Sequence, residues 1–329
     1  MNDKKKIYCL SLQGGGILGI LQAIIIQEIE KITDMRAWEL FDLLAGTSTG
    51  SLIIAGLTLN KNFGKENVIP PLSGADLVEL YRKESKNIFK EYPLRKIRTL
   101  GYTLAQKYLD KDINGVIDNY FYNYKYGRSY QKSLITSVDF SNVKLKVFKS
   151  WEADDGNYKV SDILKSSPKA SYYFDPNNFQ ELNGNGIPTG KWLNLSDGGF
   201  SVNNPSMCVL SETNHLFPND EIHIFSIGCA DKREGYSYNK MKKWNTAQLG
   251  MNLPNMFIGA QESATEYMVK SFIGDRYKSI KFPIPSHLQA LDGKDNIEEL
   301  IVIAEQWIEN NQEYLKSICE ELVENCQKR

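Results

Sequence analysis

Apolar positions along the chain follow two rhythms. Short apolar runs occur at Ile7–Leu12 and Leu40–Ala45, with further strand-like segments at Lys132–Val138, Val143–Phe148, Trp192–Leu195 and Glu221–Ile227. Between them, spacings of three and four predict helices over Ile17–Ile32, from the Gly50 turn to about Leu57, and over Ala75–Lys86, Leu104–Tyr122, Ser206–Asn214 and Asn245–Ile273. Apolar runs without polar alternation suit strands buried on both faces, and strands alternating with helices suit a parallel sheet. The expected fold is therefore α/β: three layers, α/β/α, around a mostly parallel central sheet. No repeat or low-complexity linker divides the chain, so a single domain over 1–329 is expected. A C-terminal amphipathic helix is predicted over Asn296–Cys326, within an acidic tail 292–326; its apolar positions include Ile297, Leu300, Trp307, Leu315 and Leu322.

Two strand-to-helix turns carry glycines in patterns that serve chemistry. Gly46-Thr47-Ser48-Thr49-Gly50 lies between an apolar strand and an apolar helix. A G-x-S-x-G there is a nucleophile elbow: small residues permit a strained turn that lifts the serine oxygen out. The helix behind it sets its positive dipole end beneath developing negative charge. Gly14-Gly15-Gly16-Ile17-Leu18-Gly19 follows the first strand. A G-x-G-x-x-G can cradle a dinucleotide pyrophosphate, but that use wants an acidic residue closing a second strand. Asp34 has the distance and lacks the strand. Backbone N–H groups of the same loop can instead face an acyl oxyanion.

The serine needs a base, and Asp197 in Asn194-Leu195-Ser196-Asp197-Gly198-Gly199 ends an apolar strand. By itself that Asp reads first as an Asx turn. A hydrolase with serine, acid and histidine in that order is the alternative, since His215, His223 and His287 all follow Asp197. His223 sits among isoleucines in a strand and reads as a satisfied core or edge residue; His215 and His287 adjoin loop prolines.

Net charge is −1, which excludes a global field for nucleic acid. Local asymmetries remain. Asp292 to Glu324 holds ten acidic residues and two basic ones, as expected of a docked helix with a solvated acidic face. Arg82–Lys107 holds eight basic residues (Arg82, Lys83, Lys86, Lys90, Arg95, Lys96, Arg98, Lys107) against Glu84 and Glu91, with Phe89, Tyr92 and Tyr102 interleaved. This stretch is either a solvated surface or a patch for an anionic interface or ligand. Five scattered cysteines without C-x-x-C read as reduced thiols, and the run after Lys4-Lys5-Lys6 is too short for a signal-peptide core. A cytoplasmic protein acting at a membrane surface is expected, or one exported without a cleaved signal. Asp175-Pro176-Asn177-Asn178 and Asp292-Gly293-Lys294-Asp295 lack EF-hand spacing and read as turns, so neither metal nor cofactor is expected.

Gly14–Gly19, Gly46–Gly50 and Asp197-Gly198-Gly199, in that order, resemble patatin-like phospholipases. The resemblance covers roughly residues 5 to 285. It takes in Leu134–Asp139, Val147–Ser150 and Ser166-Ser167-Pro168-Lys169-Ala170-Ser171-Tyr172-Tyr173-Phe174. It implies that Ser48 is the nucleophile and Asp197 the general base of a dyad without histidine. Gly14, Gly15 and Gly16 form the oxyanion loop, with Gly15 and Gly16 its donors, and Gly19, Gly46, Gly50, Gly198 and Gly199 are motif glycines. It further implies a phospholipase A or lysophospholipase acting on membrane phospholipid through an acyl-enzyme. A thioesterase, an acyltransferase or a non-enzymatic ligand-binding scaffold is the alternative. Two positions depart from the family: Leu18 stands where Arg or Lys is usual, and Gln13 where Asp is frequent. In length the chain is similar to stand-alone bacterial members. Some of these are anti-phage effectors switched on by cyclic nucleotides, which implies a possible cyclic-nucleotide or protein activator.

Overall fold

Strand β1 (Lys6–Leu12) shows how the sheet is buried. Ile7 and Cys9 point into one apolar cluster, and Tyr8, Leu10 and Leu12 into the other. With period-2 side chains, a strand with apolar residues at consecutive positions has to be covered on both faces. The computed structural model describes residues 4–61, 70–99, 105–230 and 235–327. Among them the other strands are β2 (Leu43–Thr47), β3 (Lys132–Asp139), β4 (Lys144–Lys149), β5 (Asn177–Leu182), β6 (Pro188–Asp197), β7 (Glu221–Ile227) and β8 (Tyr277–Ile280). They form one sheet in the order β5-β6-β3-β2-β1-β7-β8, with β4 also on β3. From β3 to β8 the strands are parallel, while β4, β5 and β6 pair antiparallel.

The helices are α1 (Gly19–Thr33), α2 (Ala37–Leu40), α3 (Thr49–Thr58), α4 (Gly74–Ile88), α5 (Pro93–Arg98), α6 (Asp110–Phe121), α7 (Ala153–Gly156), α8 (Val160–Leu164), α9 (Ser206–Leu216), α10 (Tyr238–Met241), α11 (Thr246–Ile273), α12 (Ile297–Asn310) and α13 (Gln312–Gln327). α1, α3, α4, α12 and α13 supply the larger apolar cluster on one face; α9 and the end of α11 supply the smaller on the other. The three-layer α/β architecture with a mostly parallel sheet is thus the one observed.

Four local expectations are corrected. Leu40 closes the short helix α2 and β2 begins only at Leu43. The helix expected over Leu104–Tyr122 begins at Asp110, because the Lys107 and Tyr108 N–H groups donate to the Tyr172 and Tyr173 carbonyls; Leu104 lies outside the described residues. The C-terminal helix is two helices broken at Asn311, whose side chain donates 2.8 Å to the Trp307 carbonyl. Asn177 and Asn178, read as part of a turn, open β5.

The register on β3 brings the ends of β2 and β6 together. β4 occupies one edge of β3 over 134–139. The other edge is shared: β2 runs parallel along 132–136, and β6 arrives antiparallel along 137–139. Two strands therefore meet end to end on one edge, with Thr47 opposite Thr136 and Asp197 opposite Ser137.

Candidate active site

Ser48 is the first residue past β2, so it faces the end of β6 directly. Its Oγ donates a 2.7 Å hydrogen bond to Asp197 Oδ2. Ser48 adopts φ 54°, ψ −121°, a region an L-residue enters only when its surroundings force it, at a cost of about 1–3 kcal/mol. The surroundings are visible. A Cβ on Gly46 would strike the Gly50 carbonyl group, and one on Gly50 would strike the Leu12 backbone. The elbow thus closes against itself and against β1 with no space for larger residues. Behind it, the Ser51 N–H and hydroxyl both donate to the Ser48 carbonyl, at 2.9 and 2.5 Å.

Asp197 is held as tightly. Its Oδ1 accepts the Gly199 N–H at 2.7 Å, while its own N–H donates to the Lys169 carbonyl at 3.1 Å. The segment Ser166–Ala170 ties the two halves together. The Ser167 hydroxyl accepts the Ser48 N–H at 3.1 Å and donates to the Thr136 carbonyl at 2.7 Å; the Ser167 carbonyl accepts the Gly198 N–H at 3.3 Å. The buried Lys169 is neutralised by Asp110 at 2.7 Å. Ser167 is a positioning residue that only the family resemblance brushed against, since a lone serine has no pattern of its own.

Burial pushes the Asp197 carboxyl up to about 6, against the opposing pull of the Gly199 N–H and the Ser48 hydroxyl. A carboxylate of ordinary acidity is a poor base toward a hydroxyl; one titrating near 6 is ionised at neutral pH and better matched to take a proton.

The glycine loop packs beside the pair. The Gly14 N–H donates to the Asn203 carbonyl at 3.1 Å, and the Asn203 amide returns a 3.2 Å bond to the Gly14 carbonyl. Gly14 is thereby committed to the scaffold, apart from the expected donors Gly15 and Gly16. Neither of these N–H groups donates to a protein acceptor among the described residues. Gly16 has φ +56°, and a Cβ there would strike the Leu291 carbonyl, which also accepts the Ile17 N–H at 2.8 Å. Leu291 acts through its backbone carbonyl and Asn203 through both its carbonyl and its side-chain amide, and no sequence pattern marks either residue. Gly19 is required because Tyr81 and Thr49 pack against its Cα. Gly198 lies against Thr136, and Gly199 against the Asp197 and Asn203 side chains. Of the two departures, Gln13 anchors the loop through its carbonyl, which accepts Gln22 Nε2 at 2.9 Å; Leu18 is buried and adds no charge.

Two pockets flank this loop. On one side a narrow apolar slot with about 70 Å³ of open space reaches Ser48 and Asp197 between Leu52, Leu80, Tyr81, Phe89, Ile113 and Phe174. On the other, a more polar pocket of about 360 Å³ touches Gly14 and Gly15 and is lined by Tyr236, Asn255, Glu262 and Gln289.

The histidines lie elsewhere. His223 pairs with Glu221 at 2.6 Å and stacks on Tyr8. In register it stands four residues short of the strand end that bears the glycine loop, roughly 13 Å at 3.3 Å per residue. His287 is exposed beside Glu299, and His215 is exposed at the end of α9. No group of three or more His, Cys, Asp or Glu side chains among the described residues is placed to hold a metal ion.

The basic stretch is less free than its sequence suggests. Arg82 pairs with Glu79 at 3.0 Å and Glu298 at 3.4 Å, and Lys107 with Asp292 at 2.5 Å. Around α5, Lys90, Lys96 and Arg98 accompany the exposed Leu94 and Ile97, while Arg95 donates to the Gln106 carbonyl. Tyr102 lies outside the described residues.

A mostly parallel central sheet sets a strained serine elbow against an opposed aspartate. The chain belongs to the patatin-like phospholipase family, whose sequence model matches residues 10–207. The family is one of lipid acyl hydrolases. Patatin-like protein 2 of Oryza sativa subsp. indica is 27% identical over 93% of this chain and 85% of its own. Patatin-like protein 3 of Arabidopsis thaliana is 28% identical over 71% of this chain and 62% of its own. Patatin-15 of Solanum tuberosum is 26% identical over 83% and 74%. Among solved structures, VipD from Legionella pneumophila superposes with a TM-score of 0.36 at 13% identity, over 91% of this chain and 66% of that one. Human GIVD cytosolic phospholipase A2 gives 0.47 at 10% identity, over 97% and 60%. The chain thus spans about three fifths to two thirds of those two proteins.

Proposed function

We propose that the protein hydrolyses acyl esters of membrane phospholipids through Ser48 and Asp197. The observation that carries this reading is the 2.7 Å Ser48–Asp197 contact, buried at the base of an apolar slot and beside uncommitted glycine N–H groups. Ser48 Oγ attacks the ester carbonyl as Asp197 Oδ2 takes its proton. The Gly15 and Gly16 N–H groups and the first turn of α3 stabilise the oxyanion. Asp197 returns the proton to the leaving alcohol, and the acyl-enzyme remains. Water then attacks, Asp197 accepts its proton, and the free acid leaves as Ser48 is reprotonated. The acyl chain takes the apolar slot, and the polar remainder of the lipid takes the pocket on the far side of the loop.

That polar pocket also supports a second reading, transfer of the acyl group to an acceptor alcohol. Mass spectrometry of products from mixed liposomes decides between them: free fatty acid with lysolipid supports hydrolysis, and a newly acylated acceptor supports transfer. Recovery of neither sinks both. Running the assay with and without cyclic nucleotides tests whether turnover is gated.

Gly16→Ala is expected to lower kcat by about 10²–10³-fold with little change in KM, because the oxyanion exists only on the reaction path. Steady-state kinetics on a short-chain ester measures this, and an unchanged kcat in a folded variant removes the loop from the mechanism.

The surface around α5 fits the anionic face of a bilayer, each cation there contributing about 1 kcal/mol within a Debye length. Lys90→Glu with Arg95→Glu and Lys96→Glu is expected to weaken hydrolysis of anionic liposomes while barely changing turnover of a soluble short-chain ester. Added salt should reproduce the effect. If neither assay moves, the stretch is a solvated surface.

A further inference from the structure

Helix α11 buries one apolar face and leaves a second apolar stripe exposed. An amphipathic surface helix ordinarily turns its apolar stripe to the core and its charges outward. Here Thr265, Val269 and Ile273 are buried. Both acids of the helix also face the body: Glu266 pairs with Lys281 at 2.5 Å, and Glu262 accepts the Asn203 amide at 2.5 Å. The opposite stripe is apolar and exposed, with Phe257 at 62%, Tyr267 at 75% and Phe272 at 68% of full exposure. At 100° per residue these three fall within one arc with Leu249 and Met268.

The chain just before this helix adds a collar of a second kind. From Gly235 to Gln261 there is no acidic residue, and the only charges are Lys240, Lys242 and Lys243. All three lysines are exposed. Lys240 lies over the Tyr236 ring and Lys242 over the Tyr238 ring, each at 5.5 Å. Tyr238 is 77% exposed, and Trp244 packs edge-on against Tyr236.

We propose that the outward stripe of α11 and the lysine–aromatic collar at its N-terminus form a docking surface for an anionic lipid bilayer. The inference deepens the reading of the protein as a hydrolase of membrane lipid and rests on it. Aromatic rings settle at headgroup depth, lysines reach the phosphates, and an uncharged stripe sinks to the acyl boundary. A second copy of the chain fits less well. A two-fold contact presents the same patch to itself, setting one collar near the other with no carboxylate in the segment to offset them. The surface also adjoins the catalytic apparatus. Gln261 Nε2 donates 3.3 Å to the carbonyl of Phe200, three residues beyond Asp197, and Glu262 reaches Gly14 through Asn203. A bilayer seated on α11 therefore lies against the loops that carry the base and the glycines.

The test uses the full chain carrying Ser48→Ala, so that lipid is not consumed, and vesicles of equal phosphatidylcholine and phosphatidylglycerol. Phe257→Ser with Phe272→Ser, and separately Lys240→Glu with Lys242→Glu and Lys243→Glu, should each weaken co-sedimentation by about tenfold or more. With Ser48 restored, the same changes should leave hydrolysis of a soluble short-chain ester intact while vesicle hydrolysis falls. Undiminished vesicle binding by both variants overturns the proposal. So does a parent chain that is dimeric in solution and becomes monomeric with the phenylalanine changes, which assigns the stripe to a second copy. If the parent binds vesicles through α11 but cleaves no ester of any kind, docking stands and the hydrolase reading falls.

Discussion

Ser48→Ala is expected to lower acyl-ester turnover by at least about 10³-fold while leaving the protein folded. The alanine Cβ already has its place in the elbow, and only the Oγ that donates to Asp197 is lost. The strained φ is unchanged by the substitution, so the melting temperature should move little. Kinetics on a short-chain ester, with circular dichroism as the folding control, reads both quantities. A fluorophosphonate probe should label Ser48 in the parent and nothing in the variant. Activity above a few per cent in a folded Ser48→Ala chain removes Ser48 as nucleophile.

Asp197→Asn is expected to reduce kcat by about 10³-fold, because a neutral amide cannot accept the serine proton. The same change should stabilise the fold at neutral pH, and the sign follows from the raised carboxyl. Since burial lifts Asp197 from its ordinary 3.8 to about 6, the folded state favours the protonated form. That favourable contribution is complete below about pH 4 and is lost as pH rises through about 6. Above pH 6, holding the ionised carboxylate in place costs about 3 kcal/mol. The Asn variant should therefore melt higher than the parent at pH 7 to 8, with the gap closing toward pH 4. Parent turnover should run the other way, rising with pH through about 6 as the base ionises. An acid limb that stays put in the Asn variant, at undiminished rate, assigns the base elsewhere.

The parts of this fold legible in the sequence are those where one physical demand acts on consecutive residues. β1, β3 and β7 are buried on both faces along most of their length, so each carries consecutive apolar residues such as Ile7 and Tyr8, Leu134 and Ile135, and Ile224 and Phe225. The glycines of the elbow answer a steric demand visible as spacing. β5 (Asn-Asn-Phe-Gln-Glu-Leu) and β8 (Tyr-Lys-Ser-Ile) lie at the sheet's ends, where cover is partial and composition mixed, so neither reads as a strand. The break at Asn311 is one residue wide and leaves helical periodicity nearly undisturbed. Ser48 and Asp197 were legible as types in their turns, but the Ser167, Asn203 and Leu291 contacts depend on which backbones the fold brings together. α11 marks a different limit. Periodicity tells which residues share a face, and only packing tells which face is left uncovered.

The hydrogen bond from Ile17 to Leu291 joins positions 274 residues apart in the sequence (291 − 17). During synthesis, residues 14 to 16 leave the ribosome early, Ser48 soon after and Asp197 at mid-chain, yet the carbonyl that clamps the glycine loop emerges much later. A nascent chain thus carries both reacting side chains well before the loop beside them is secured. If Ser48 and Asp197 act as proposed, that order withholds hydrolytic power until residue 291 has been made.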